Sequence, residues 1–178
     1  MKRIHLEDTI YYVTSVIYGR LPLFIRSSTI IPLIDSLNFY RYKQQFKLLG
    51  YVIMPDHVHF LVWLYGKATI SDIMRDFKKF TAVRLIRQAE VEQREDWLAA
   101  FKQAGAETGR SQNKVWQDCF WDKIVYTEKF LRQKLNYIHR NPVRANLVAD
   151  PAQYPYSSYR NYMEQVDAWI EIDRDWLE

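Results

Sequence analysis

The stretch YVIMPDHVHFLVW, residues 51–63, decides how this chain folds. Both halves are rich in β-branched and aromatic residues, and Pro55-Asp56 marks a tight turn between them. It therefore reads as two neighbouring strands. Alternation along the second strand sends Val58, Phe60 and Val62 to one face and His57 and His59 to the other. The apolar flanks make that strand central and buried, where an unpartnered imidazole costs about 1–3 kcal/mol. The pair is either hydrogen-bonded within a sheet or two ligands of a metal, and His-x-His by itself does not separate these readings.

Working outward, TIYYVTSVIYG (residues 9–19) suits a first strand stopped by glycine. Leu33, Leu37 and Tyr40 recur at helical spacing and predict a helix from about residue 31 to 46. Gly50 is expected to break the chain before Tyr51. Ile70, Ile73, Phe77 and Phe80 define a second helix, with Ser71 as its N-cap. The polar stretch around 91–113, holding Gly105 and Gly109, reads as an insertion or mobile loop. VWQDCFWDKIV (residues 115–125) is another strand. Thr127 caps a last helix, which Asn141-Pro142 is expected to end, because the residue before proline resists helical geometry. The order β-α-β-β-α-β-α with an irregular tail predicts an α+β fold, a ferredoxin-like antiparallel sheet flanked by helices. No repeat or boundary interrupts residues 1–178, so a single domain is expected.

Composition narrows the classes. Nearly half the residues are apolar, which excludes a disordered chain. The 25 basic residues exceed the 21 acidic ones and leave a net charge of +4, compatible with a nucleic-acid partner without requiring one. Aromatic residues make up 16% of the chain, which suits stacking on unpaired bases as well as it suits a bulky core. Cys119 is the single cysteine, so neither an internal disulfide nor a cysteine-only metal site is available. No run approaches membrane-spanning length and no apolar leader opens the chain; a cytoplasmic protein with no membrane partner is expected.

The last helix carries the second set of chemical groups. At 100° per residue, Leu131, Leu135 and Ile138 share a core-facing side, whereas Lys134, Tyr137 and Asn141 share another. His139 points nearly opposite to Tyr137. A divalent metal held by His57, His59 and the Asn141 carboxamide would keep open positions for phosphate oxygens, and mixed nitrogen–oxygen ligation suits Mn²⁺ better than Mg²⁺. The Tyr137 hydroxyl could then attack a phosphodiester. Its ordinary pKa of about 10 makes it a poor nucleophile unaided, and Lys134 or a water could assist. Lys78, Lys79, Arg132, Arg140 and Arg144 are candidate contacts to a nucleic-acid backbone.

On these residues the chain resembles a known family. MPDHVHFLV is similar to the metal-binding signature of HUH endonucleases, two histidines flanking one hydrophobic residue. LNYIHRNPVRANLV followed by YPYSSY resembles the C-terminal signature of single-tyrosine transposases, closest to the REP-associated group, and VWQDCFWDKIV the strand before their catalytic helix. The resemblance runs from about residue 9 to 162. It implies an RRM-like sheet, Mg²⁺ or Mn²⁺ as cofactor, and cleavage and rejoining of single-stranded DNA through a 5′-phosphotyrosine, often beside a hairpin. By the same resemblance His57, His59 and Asn141 match metal ligands, Tyr137 the nucleophile, and His139 a structural position. Asp56 replaces a frequent asparagine, a departure expected to touch the turn more than the metal. Monomers and homodimers both occur among such proteins. Two other readings stand beside a strand transferase: a catalytically silent or domesticated module binding hairpin DNA or RNA, and a metal-dependent hydrolase of small phosphates that would not need Tyr137.

Overall fold

The computed structural model describes residues 8–109, 111–164, 168–174 and 176. Its centre is a four-stranded sheet of β1 (Thr9–Val16), β2 (Phe46–Met54), β3 (His57–Leu64) and β4 (Trp121–Val125), in the order β2-β3-β1-β4 with every neighbour antiparallel. The helices are α1 (Ser27–Gln44), α2 (Ile70–Val91), α3 (Glu95–Thr108), α4 (Glu128–Arg144) and the short α5 (Tyr159–Tyr162). This is the expected α+β architecture, an antiparallel sheet flanked by helices. No described helix is long and apolar enough to cross a membrane.

Strand alternation divides the interior in two. Val13, Tyr51, Ile53, Val58, Phe60 and Val62 point toward α1 and α2, where they meet Leu33, Leu37, Ile73 and Phe77. Tyr12, Val52, Met54 and Leu61 point the other way, under Leu131, Leu135 and Ile138 of α4. The helical stripe read from spacing thus faces the sheet as expected.

Several elements depart from the expectations, each for a local reason. The first strand ends at Val16, and α1 starts one turn early because Thr29 anchors its first turn by donating to the Leu23 carbonyl at 2.6 Å. The N-cap of α2 is Thr69, not Ser71. A capping box needs an acidic residue three positions on, and Asp72 stands there, its carboxylate accepting from the Thr69 N–H at 3.0 Å. The stretch expected as an insertion or mobile loop is largely helix α3, with Trp97 and Phe101 in the core. The returning chain crosses Gly105 so closely that a Cβ there would lie 2.5 Å from the Ser111 and Gln112 carbonyl oxygens.

Gly50 does not interrupt the chain before Tyr51; it lies inside β2, at a register shift. A Cβ at this position would meet Leu135 Cδ1 at 2.7 Å, so the missing side chain lets α4 lie directly on the sheet. Nor does Asn141-Pro142 end α4. Pro142 falls in the last turn, where its absent N–H costs one bond, and the helix stops at Asn146 with φ 55°. There the N–H of Leu147 donates to the Pro142 carbonyl at 2.9 Å and that of Asn146 to Val143 at 3.0 Å, a Schellman closure. The strand read over residues 115–125 is regular only from Trp121; Trp116 makes a single bridge to Ile17.

Beyond α4 the chain returns along the outer edge of β2. Ile53 donates to Tyr156 and Ser158 donates to Tyr51, both at 2.9 Å, while Leu48 and Asp173 exchange two further bonds. Tyr154 and Tyr162 add hydroxyl bonds to the carbonyls of Ile53 and Leu49, each 2.7 Å. His139 joins this seam through Ser158 Oγ at 2.9 Å. It is buried on the side of α4 away from Tyr137, and burial lowers its pKa to about 4, which keeps it neutral.

Candidate active site

Two hydrogen-bonded neighbours hold His59. Its register partner on β1 is Thr14, and Thr14 Oγ1 and Tyr12 Oη lie 2.8 and 2.9 Å from Nδ1. His57 Nδ1 is taken by the Asp56 carboxylate, which also pairs with Arg20 at 3.1 Å. Burial opposes ionisation of Asp56, but His57 and Arg20 outweigh it and hold the carboxyl below its ordinary value. Asp56, expected to touch the turn more than the metal, also orients His57 through this hydrogen bond. Both imidazoles therefore spend Nδ1 on the protein, which leaves Nε2 of each as the outward nitrogen. The rings stand edge to face, centroids 4.8 Å apart.

Nε2 of His59 is buried and has no hydrogen-bond partner. Burial, helped by the charges of His57 and Lys134, lowers the His59 pKa to about 3, so at neutral pH it is an uncharged base with a free lone pair. Asn141, one turn beyond Tyr137, also has a buried amide nitrogen without a partner. A half-turn of its carboxamide puts the carbonyl oxygen in that place. Two imidazole nitrogens and an amide oxygen are a donor set that a divalent transition-type ion accepts, so these residues fit a metal. Among the described residues no three His, Cys, Asp or Glu side chains converge.

Two tyrosines meet over this pair, and burial separates them. Tyr12 is 3% exposed, and its pKa is raised, first by burial and further by Tyr137 beside it, against the lowering effect of Thr14. It stays protonated and serves His59. Tyr137 is 36% exposed on α4, with its ring 5.6 Å from His59 and 6.2 Å from Tyr12. Lys134 Nζ lies over the Tyr12 ring at 4.4 Å and the Tyr137 ring at 5.7 Å, and the Arg144 guanidinium lies over the same Tyr137 ring at 5.1 Å. Burial, then the nearby Lys123 charge, lower the pKa of Lys134.

The structure thus gathers His57, His59, Tyr137, Lys134 and Arg144, with Asn141 one turn on. It does not bring in every basic candidate. Arg132 and Arg140 lie exposed on α4, Arg132 paired with Glu128. Lys78 and Lys79 sit on α2, across the sheet from α4. They line a separate cleft of about 420 Å³ with Arg75 and Lys114, and Lys78 is committed to the carbonyls of Gln117 and Asp118. Burial lowers the Lys78 pKa to about 8.

Tyr12, Thr14 and Trp121 were missed from sequence. Trp121, Thr14, His59 and Val52 form one lateral row across β4, β1, β3 and β2. That row depends on strand register, which no local pattern encodes.

Comparison with known proteins gives a consistent picture. The family model described as Transposase IS200 like matches residues 11–141. A REP-associated tyrosine transposase of Haemophilus influenzae is 29% identical over 165 residues, 89% of this chain and 84% of its own length. Its Escherichia coli K12 counterpart is 23% identical over 114 residues, 64% of this chain and 54% of its own. A solved structure of a REP-associated tyrosine transposase bound to a REP hairpin superposes with a TM-score of 0.69 at 16% identity, over 98% of this chain and 91% of that one, and shares the fold.

Proposed function

The chain belongs to the IS200-like transposase family, and from that premise we propose that it cleaves and rejoins single-stranded DNA, next to hairpin repeats, through a 5′-phosphotyrosine on Tyr137. One observation carries the reading: the exposed Tyr137 ring packs against His59, whose buried Nε2 has no partner.

His57, His59 and Asn141 would hold a divalent cation, Mg²⁺ or Mn²⁺, which when bound supplies Lewis-acid polarisation of the phosphodiester. Asp56 holds His57, and Thr14 and Tyr12 hold His59, through Nδ1, so that Nε2 of each imidazole is the nitrogen left for such binding. Tyr137 Oη attacks phosphorus as its proton leaves. The bond from phosphorus to the 3′ oxygen breaks, and that oxygen departs with a proton as a free 3′-hydroxyl. Lys134 favours the phenolate electrostatically from its position over the ring. Because one phosphodiester replaces another, attack by a 3′-hydroxyl on the phosphotyrosine rejoins DNA without an energy source. Arg144, whose guanidinium lies over the Tyr137 ring, gives the surface beside Tyr137 a positive charge for the phosphate backbone.

The test is a set of single-stranded hairpins with flanking tails, incubated with Mn²⁺ or Mg²⁺ and run on a denaturing gel. A protein–DNA adduct that requires metal and Tyr137 is the expected result. Binding without any adduct would favour the silent hairpin-binding module, and cleavage that survives Tyr137→Phe would favour a hydrolase.

A further inference from the structure

Trp121 opens β4, the outer strand on one side of the sheet, yet it is 53% exposed. Its strand alternates with Lys123 and Val125 toward the α4 face, since Val125 packs in the α4 core and Ile124 packs on the opposite side. The indole stands edge-on to Tyr12, centroids 5.7 Å apart, and Tyr12 is one of the two residues that hold His59. It shares the lateral row of Thr14 and His59, two strand spacings or about 10 Å from the histidine. Two cations gather beside it: Lys134 Nζ lies 5.8 Å from the indole centroid, and Lys123 Nζ meets Lys134 over Phe130, at 5.2 Å and 5.4 Å from that ring respectively. An aromatic face open to solvent, at the rim of the proposed phosphodiester-cleaving site and beside a pair of ammonium groups, matches the chemistry of one ligand. That ligand is an unpaired nucleobase whose flanking phosphates need positive charge. A base within a duplex has both faces covered and cannot use it.

We propose that Trp121 is a stacking platform for an unpaired base adjoining the phosphate presented to Tyr137, and thereby a positioning residue that selects single strands. This rests on the function proposed above. The indole supplies the stacking surface, Lys134 and Lys123 attract the adjoining backbone, and the Tyr12 contact fixes the platform relative to His59.

The experiment uses the full chain carrying Tyr137→Phe, so that binding is read without reaction. A mixed-sequence single strand carrying 2-aminopurine at successive positions is titrated in, and fluorescence and anisotropy are followed. One position is expected to be quenched on binding. Adding Trp121→Ala should remove that quench and weaken single-strand binding roughly 5- to 150-fold, the range for loss of one base–aromatic stack. Binding of a blunt duplex should stay unchanged, and Trp121→Phe should restore most of the affinity. In the reactive protein Trp121→Ala should raise the DNA concentration needed for half-maximal adduct more than it lowers the rate at saturation. Unchanged single-strand affinity in Trp121→Ala overturns the proposal, as does an equal loss for single strand and duplex. If Trp121→Ala fails to fold, Trp121→Leu, which fills the site without a π-face, must show the same selective loss. Adduct formation by the wild-type protein is scored separately. Its absence sinks the proposed reaction, while the binding arms still decide the platform.

Discussion

Alternate residues of β3 build two faces with opposite purposes. On one, Val58, Phe60 and Val62 close against α2, with the Phe60 and Phe77 rings edge to face at 5.2 Å. On the other, one residue away in each case, His57 and His59 are each held through Nδ1, and the buried Nε2 of His59 has no partner. The apolar face is spent on packing, and the polar face keeps a buried lone pair that packing alone does not explain. The burial that makes His59 costly also holds it neutral, the form in which an imidazole can accept a cation. A strand can thus be rigid on one side and reactive on the other, because its period of two separates the requirements.

The sharpest way to break this comparison is Tyr137→Phe. It should abolish the denaturation-resistant DNA adduct while leaving the thermal midpoint nearly unchanged, since the hydroxyl leaves an exposed position. Phe60→Ala, on the opposite face, should do the reverse. It should cost about 3–5 kcal/mol of stability in urea unfolding, with adduct formation per folded molecule retained. A smaller effect concerns pH. The buried His139 has a pKa of about 4 when folded and the ordinary 6.5 when unfolded, so the unfolded chain binds more protons between these values. The stability is present above pH 6.5 and falls as pH drops toward 4, by about 3 kcal/mol from this group. His139→Gln should flatten that part of the urea-midpoint profile. Thr14→Val keeps the shape but removes a partner of His59 Nδ1, and should weaken Mn²⁺ binding by roughly 10- to 100-fold in a direct titration.

The alternation of residues 57–62 and the stripe of Leu131, Leu135 and Ile138 were legible because periodicity reports burial directly. From these followed the sheet, the helix and the candidate ligands. What stayed hidden depended on contacts between distant segments. Gly50 looks like a breaker until Leu135 is seen to lie on it, and Gly105 looks like a loop residue until residues 111–112 cross it. Pro142 looks like a stop because the bias before proline is local, whereas the stop belongs to Asn146. Asp56 and Thr14 acquire roles only when the turn and the register bring them to the imidazoles. The site is therefore partly written in short-range pattern and partly in strand pairing.

The seam along β2 has a consequence for how the molecule is made. Leu48, Tyr51 and Ile53 wait for partners between Tyr156 and Asp173, more than a hundred residues later in the chain. During synthesis the four strands and α4 can assemble while that edge still offers open N–H and C=O groups, a template for pairing with another chain. Closing it is a late, long-range event, and the same event buries His139 against Ser158 and so seats the helix that bears Tyr137. A nascent or truncated chain lacking this segment is expected to be sticky at the edge and slack at the site. Docking of this segment, protection of the edge and seating of the helix that bears Tyr137 are thus one step.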